Sequence, residues 1–245
     1  QNGNFSELGS ELVTNGDFAT NSDWSANDWF INNGKVTLPI TSTNNLNQSI
    51  SITQNKTYKI VFTISNLSDG GIRIRLGIGS MSSTITTNGT HTLYMQHTTT
   101  NHVLRIYSNS SGVFNGELDN VSVKQVDPND RWTLDTGWGY GDGVANCDGS
   151  QSGNANIFQP VSFTVGSVYK VSFDVSNYSA GTVKIVFGDT GGTVRSANGN
   201  YVELFTFVSG SNFFIQGNSS FVGTIDNISV VEVQGDRPRL SYDIT

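Results

Sequence analysis

"QSISITQNKTYKIVFTISNLSDGGIRIRLG" (residues 48–77) and "QPVSFTVGSVYKVSFDVSNYSAGTVKIVFG" (159–188) align without a gap at an offset of 111, with 12 of 30 positions identical. In the first, Tyr58, Ile60, Phe62 and Ile64 alternate with Lys59, Val61 and Thr63. After a Ser-Asp-Gly-Gly break, Ile72, Ile74 and Leu76 alternate with Arg73 and Arg75. A period of two with one apolar face predicts half-buried antiparallel strands. Tyr58 and Tyr169, and Phe62 and Phe173, are therefore expected inward at matched places.

The likeness runs outward from this core. "LRIYSNSS" (104–111) matches "FFIQGNSS" (213–220), and "GELDNVSVKQV" (116–126) matches "GTIDNISVVEV" (223–233). Trp24 and Trp29 pair with Trp132 and Trp138. A period near 110 is too long for a solenoid repeat and suits a complete domain. The chain is thus expected to be all-β, with two tandem antiparallel β-sandwich (jelly-roll) domains at 11–127 and 128–234. "VDPND" (126–130) forms the junction, 1–10 a leader, and "GDRPRLSYDIT" (235–245) a linker to a following domain.

Charged residues make up 13% of the 245, against a usual ~25%. Asn, Ser, Thr and Gly supply the polarity instead, a composition suited to pleats and turns. The net charge of −7 argues against nucleic acid as partner, because phosphates demand basic patches. No apolar run is long enough for a membrane-spanning helix. The single cysteine, Cys147, can form no internal disulfide and reads as a small buried hydrophobe.

"NGDF" (15–18) followed by a Trp, then "NKTYKIVFTIS" (55–65) and a closing "DNVSV" (119–123), resemble the carbohydrate-binding modules of families 4, 9 and 22. The resemblance covers nearly all of both copies. It implies jelly rolls that bind polysaccharide, of the β-glucan or xylan type, without cleaving it. Such modules are attached to glycoside hydrolases or phage tail proteins, which implies an extracellular or virion-associated place in a longer multidomain chain. A structural or adhesion segment of a phage tail protein, with no sugar site of its own, is the alternative. The family also implies a structural calcium, held here by Asp119 with Asp17 nearby in the first copy or by Asp226 in the second, although Ala19 stands where the family carries an acidic residue. The second copy shows no "NGDF" strand at its start. Either that strand is shortened or the first copy covers the edge.

Sugar binding needs flat apolar platforms beside hydrogen-bonding side chains, and Tyr and Trp supply the former with few rotors to freeze. Parity places Lys59, Arg73, Arg75, Tyr94, Gln96, Arg105 and Tyr107 on the outward face of the first copy. A hairpin around 99–101 would make Tyr94 and Tyr107 neighbours. Parity in the second copy gives Lys170, Asp174, Lys184, Glu203, Phe205, Phe207, Phe214 and Gln216. The three Phe would either stack on ligand or lie under a loop. An ordinary solvated sheet face is the competing reading. Trp24 and Trp132 are expected to be structural. Trp29 and Trp138 are expected at a binding rim, with Tyr140 and Tyr178 on loops. A glycosidase needs two carboxylates flanking one bond, whereas Asp119 and Asp226 read as standing alone, so no enzyme is expected. His91, His97 and His102 read as rim or partly buried imidazoles, not as a metal site.

Overall fold

A computed structural model describes residues 2–233. Every regular element among them is a β-strand, as the alternation predicts, and no helix is long and apolar enough to cross a membrane. The chain divides into two compact units. One is continuous, Leu8–Pro128. The other is split, combining residues 2–7 with residues 129–233.

The continuous unit contains β1 (Leu8–Glu11), β2 (Phe30–Asn32), β3 (Lys35–Thr37), β4 (Asn45–Ser49), β5 (Thr57–Gly70), β6 (Ile72–Leu76), β7 (Gly89–Gln96), β8 (Val103–Ser108) and β9 (Phe114–Val126). One sheet has the order β2-β3-β9-β5-β7, with β1 also on β9. The other has the order β4-β8-β6. Tyr58, Ile60, Phe62 and Ile64 of β5 meet Ile72, Ile74, Leu76, Leu104 and Ile106 of the second sheet in one buried cluster. Burying a side chain of this size fully contributes about 1.5–3 kcal/mol, so the alternating apolar face holds the two sheets together.

The split unit contains β10 (Thr133–Leu134), β11 (Trp138–Tyr140), β12 (Ala145–Asp148), β13 (Ala155–Pro160), β14 (Val168–Ala180), β15 (Val183–Phe187), β16 (Thr190–Gly191), β17 (Gly199–Thr206), β18 (Asn212–Gly217) and β19 (Val222–Glu232). Its sheets, β11-β12-β19-β14-β17 and β10-β13-β18-β15-β16, follow the same plan. Its own core is built on Tyr169, Phe173, Phe187 and Phe213. Tyr58 and Tyr169, and Phe62 and Phe173, are buried as expected. The Tyr58 hydroxyl accepts the Thr53 N–H, and the Tyr169 hydroxyl accepts the Thr164 N–H.

Residues 2–10, expected as a leader, belong to the two units. Asn2-Gly3-Asn4-Phe5 forms, for the split unit, the turn that Asn15-Gly16-Asp17-Phe18 forms for the continuous one. Asn2 and Phe5 have φ of 53° and 49°, and Asn15 and Phe18 have 51° and 50°. The Trp132 indole N–H donates to the Asn2 carbonyl at 2.9 Å, and that of Trp24 to the Asn15 carbonyl at 3.0 Å. Phe5 packs on Trp132 at 5.1 Å, and Phe18 on Trp24 at 5.2 Å. Arg131 donates to Glu7 at 2.7 Å and holds its carboxyl below the usual carboxylate range. In sequence, the continuous unit is therefore inserted into the other, directly after the latter's first turn. The continuous unit runs from Leu8 to Pro128, where 11–127 is expected from the sequence. The linker at 235–245, with residue 234, lies outside the described residues.

This arrangement makes Phe5 a core residue although it stands near the chain start. Phe→Ala in a core typically costs about 3–5 kcal/mol. Phe5→Ala should lower the melting of the split unit and leave that of the continuous unit unchanged. Calorimetry resolving the two transitions, assigned by near-ultraviolet signals of Trp132 and Trp24, checks this.

Candidate functional site

The β4-β8-β6 sheet turns Leu46, Leu104, Ile106, Ile72, Ile74 and Leu76 inward. Its outer face then carries the alternate residues, and register lines them up in two rows. One is Asn45–Tyr107–Arg73 and the next is Asn47–Arg105–Arg75. All six are half-buried. Backbone carbonyls hold the guanidinium groups. Arg73 Nε donates to Ser108 O at 3.0 Å, Arg75 donates to Gly79 O and Ile78 O, and Arg105 Nη1 donates to Gly77 O and to Asn101 Oδ1. None of the three meets a carboxylate among the described residues.

The equivalent face of the split unit keeps the rows and changes the chemistry. Asn156–Gln216–Lys184 forms one row and Phe158–Phe214–Val186 the other. The Phe158 and Phe214 rings lie 5.3 Å apart at 40°. Asp135 accepts both the backbone N–H and the side-chain amide of Asn156 at 2.9 Å, and Gln216 Nε2 donates to Asn156 Oδ1 at 3.1 Å. The sequence reading found Arg73, Arg75, Arg105, Tyr107, Phe214 and Gln216 of these faces. It missed Asn45, Asn47, Asn156 and Phe158, because β4 and β13 are short and their pairing with β8 and β18 is nonlocal.

Several expected site residues lie elsewhere. Tyr94 and Gln96 are on β7, which pairs with β5, whereas Tyr107 is on β8 in the opposite sheet, so no hairpin joins them. The chain leaves the first sheet at His97, whose backbone bonds Lys56 and Asn55, and enters the second at Val103. Tyr94 instead lies beneath the Lys59 ammonium at 5.8 Å. Trp29 and Trp138 are buried and not at a rim. They pack on Phe114 and Phe221, and Trp29 donates to Asn44 O at 3.1 Å. Trp24 and Trp132 are structural, as read.

Phe205 and Phe207 are core residues, and the parity read for β17 is inverted. Both pack on Phe187, at 5.3 and 5.8 Å, and Leu204 and Val202 face out instead. Glu203, also read as outward, binds Arg195 at 3.1 Å. Tyr140 and Tyr178, expected on loops, lie on β11 and β14; Tyr140 packs near Phe5, and the Tyr178 hydroxyl donates to Gly181 O at 3.0 Å. Both are half-buried.

The carboxylates serve bulges. Asp119 and Asp226 each accept the N–H of the following Asn at 2.6 Å. Asp17 accepts the Ala19 N–H. Among the described residues, no three His, Cys, Asp or Glu side chains gather as a potential metal site. Asp226 does not stand alone. It faces Asp174 across β14 and β19, and Asp174 accepts the Asn200 and Asn227 side-chain amides. Burial, and then the Asp174 charge, push the Asp226 carboxyl above its ordinary range. His97 is fully buried at 5.7 Å from the His102 ring, and burial and then His102 hold it below the usual histidine value. Cys147 is buried, as read.

A cleft of about 360 Å³ lies at the edge of the continuous unit among Phe30, Asn32, Asn33, Lys35, Thr37 and Glu117. Lys35 pairs with Glu117 in its wall. Phe30 is 58% exposed, and its place beside Trp29 was the only sequence signal for it.

No protein-family model matches the chain, and no curated protein matches it. Among solved structures, it is similar to the N-terminal CBM22-1–CBM22-2 tandem domain from Paenibacillus barcinonensis Xyn10C. The identity is 11% and the TM-score 0.31, over 93% of this chain and 99% of that one. It is also similar to an anti-sigma factor domain-containing protein, at 11% identity and a TM-score of 0.22, over 82% and 79%. Similarity at this level carries no argument about what the chain binds.

Two pH responses follow. Protonating buried His97 is disfavoured, so its contribution to stability is present above about pH 6.5 and is lost as the pH falls below that. The melting temperature of the continuous unit should drop between pH 7.5 and 5.5, and His97→Gln should flatten that drop. Ionising Asp226 is disfavoured, so its cost is present at neutral pH and disappears on acidification through the carboxylate range. Asp226→Asn keeps an acceptor for the Asn227 N–H. It should raise the melting temperature of the split unit at pH 7, with the gain vanishing near pH 3.

Proposed function

We propose that the chain is a non-catalytic, tandem polysaccharide-binding protein that uses the outer faces of the β4-β8-β6 and β13-β18-β15 strands. One observation carries this reading. In both units, the same three strands align an outward row of amide and long polar side chains beside a row or member that offers a ring face. Tyr107 lies between Asn45 and Arg73, and Phe158 lies beside Phe214 along Asn156 and Gln216. A pyranose needs both elements, a flat apolar surface for its C–H face and fixed donors and acceptors for its hydroxyls. Asn47, Asn156 and Gln216 are already tied by neighbours, so little of their side-chain freedom is lost on binding.

The polymers we propose are β-glucan or xylan-type chains, and the role is to carry a larger enzyme or tail protein to a glycan surface. Two binding units on one chain raise avidity wherever both engage one polymer. Affinity electrophoresis on soluble β-glucan, xylan and mannan tests the reading. Removing a stacking ring costs on the order of 1–3 kcal/mol by analogy with base stacking on aromatics. Phe158→Ala or Phe214→Ala should therefore weaken retardation several-fold or more without changing the melting temperature by more than a few degrees. Migration of the wild type indifferent to every glycan would overturn the proposal in favour of a structural segment.

A further inference from the structure

The two equivalent faces differ in charge, and the difference points to a ligand. Arg73, Arg75 and Arg105 crowd one sheet face of a chain whose net charge is −7. Arg75 and Arg105 are directly opposite each other in register. Like charges so placed, with Cβ atoms ~5 Å apart, are destabilising. No described carboxylate forms an ion pair with them. The split unit relieves the same position with Val186 and Phe214, and carries a single Lys184 in place of Arg73. The fold therefore does not require the arginines.

The tethers also leave specific donors free. Arg73 uses Nε on Ser108, so both its terminal nitrogens remain. Arg105 uses Nη1 on Gly77 and Asn101, so its Nε and Nη2 edge remains. Each is a complete two-donor edge of the kind that takes a carboxylate bidentately. Tyr107 stands next to Arg73 in the same row. The pairing of two preset guanidinium edges with a ring face matches a sugar that bears a carboxylate.

Resting on the carbohydrate-binding reading above, we propose that the Arg73–Arg75–Arg105 face of the continuous unit selects acidic polysaccharide, specifically chains bearing uronic acid carboxylates. The split unit's Phe158–Phe214 face takes uncharged rings.

The test uses the full chain in affinity electrophoresis against polygalacturonate, the same polymer after chemical reduction of its carboxyl groups, dextran sulfate, and neutral xylan. Wild type should be retarded by polygalacturonate in a salt-sensitive manner, and reduction of the carboxyls should cost at least tenfold in affinity. Arg105→Gln should weaken polygalacturonate binding tenfold or more, and Arg105→Lys should restore it only in part, because a point charge lacks the fork. Leu204→Ser, exposed on β17 and so outside both proposed faces, should leave polygalacturonate binding unchanged. The carboxyl-reduced polymer tests the wild type alone, so a variant that failed to fold would not blunt the experiment. Equal binding to the native and reduced polymers would overturn this inference while keeping the carbohydrate reading. Equal binding to dextran sulfate and polygalacturonate would reduce the face to a general anion patch and overturn it too. Binding to none of these polymers would overturn this inference, and indifference to β-glucan and mannan as well would overturn both readings.

Discussion

Each unit depends on one close approach of backbone to backbone. The turn glycine, Gly16 in the continuous unit and Gly3 in the split one, lies against the closing strand. The Val121 N–H donates to Gly16 O at 2.8 Å, and the Ile228 N–H donates to Gly3 O at 2.9 Å. A side chain at either glycine would put Cβ 2.0 Å from the carbonyl oxygen of that same partner. The approach is possible because Asn120 and Asn227, at φ of 54° and 52°, kink the closing strand at its bulge. Asn tolerates this left-handed geometry better than most residues do. The preceding aspartate stabilises the kink by accepting the Asn N–H.

From that contact the remaining packing follows. The turn places Phe18 or Phe5 under an indole, and the indole N–H closes back on the turn's first carbonyl. A buried indole donor left unpaired costs about 1–3 kcal/mol, so ring and turn fix each other. The same logic accounts for the chain order. The split unit cannot complete its sandwich without the turn, and that turn precedes the whole continuous unit. Its closing contact therefore spans more than 220 residues of sequence, from Gly3 to Ile228. Contacts of such separation carry a loop-closure cost that grows only slowly with length, which lets a complete module occupy the interval.

The two units also show how one scaffold separates stability from recognition. Inward positions keep their apolar character, with Ile74 matched by Ile185 and Ile106 by Ile215. Outward positions on the same strands diverge, with Arg75 matched by Val186 and Arg105 by Phe214. Inward changes disturb a close-packed interior, whereas outward changes mainly alter what the face can meet.

The sequence by itself determined the fold class, the repeat, and the facing of β5, β6, β8, β14, β15 and β18. Period-two alternation fixes which side of a strand is buried, whatever it pairs with. It therefore identified Arg73, Arg75, Arg105, Tyr107, Phe214 and Gln216 as outward. Only the tertiary structure decided which strands adjoin. Tyr94 was read with the correct facing and the wrong neighbour, since facing is local and sheet membership is not. Phe205 and Phe207 were misread because β17, "GNYVELFT", carries apolar residues on both sides, and the crowded Phe187 core selected one of them. The reading of Asn2-Gly3-Asn4-Phe5 as a leader failed for the same reason. Four residues hold no record of a partner strand more than 220 positions away, and only the packed fold brings Gly3 against Ile228.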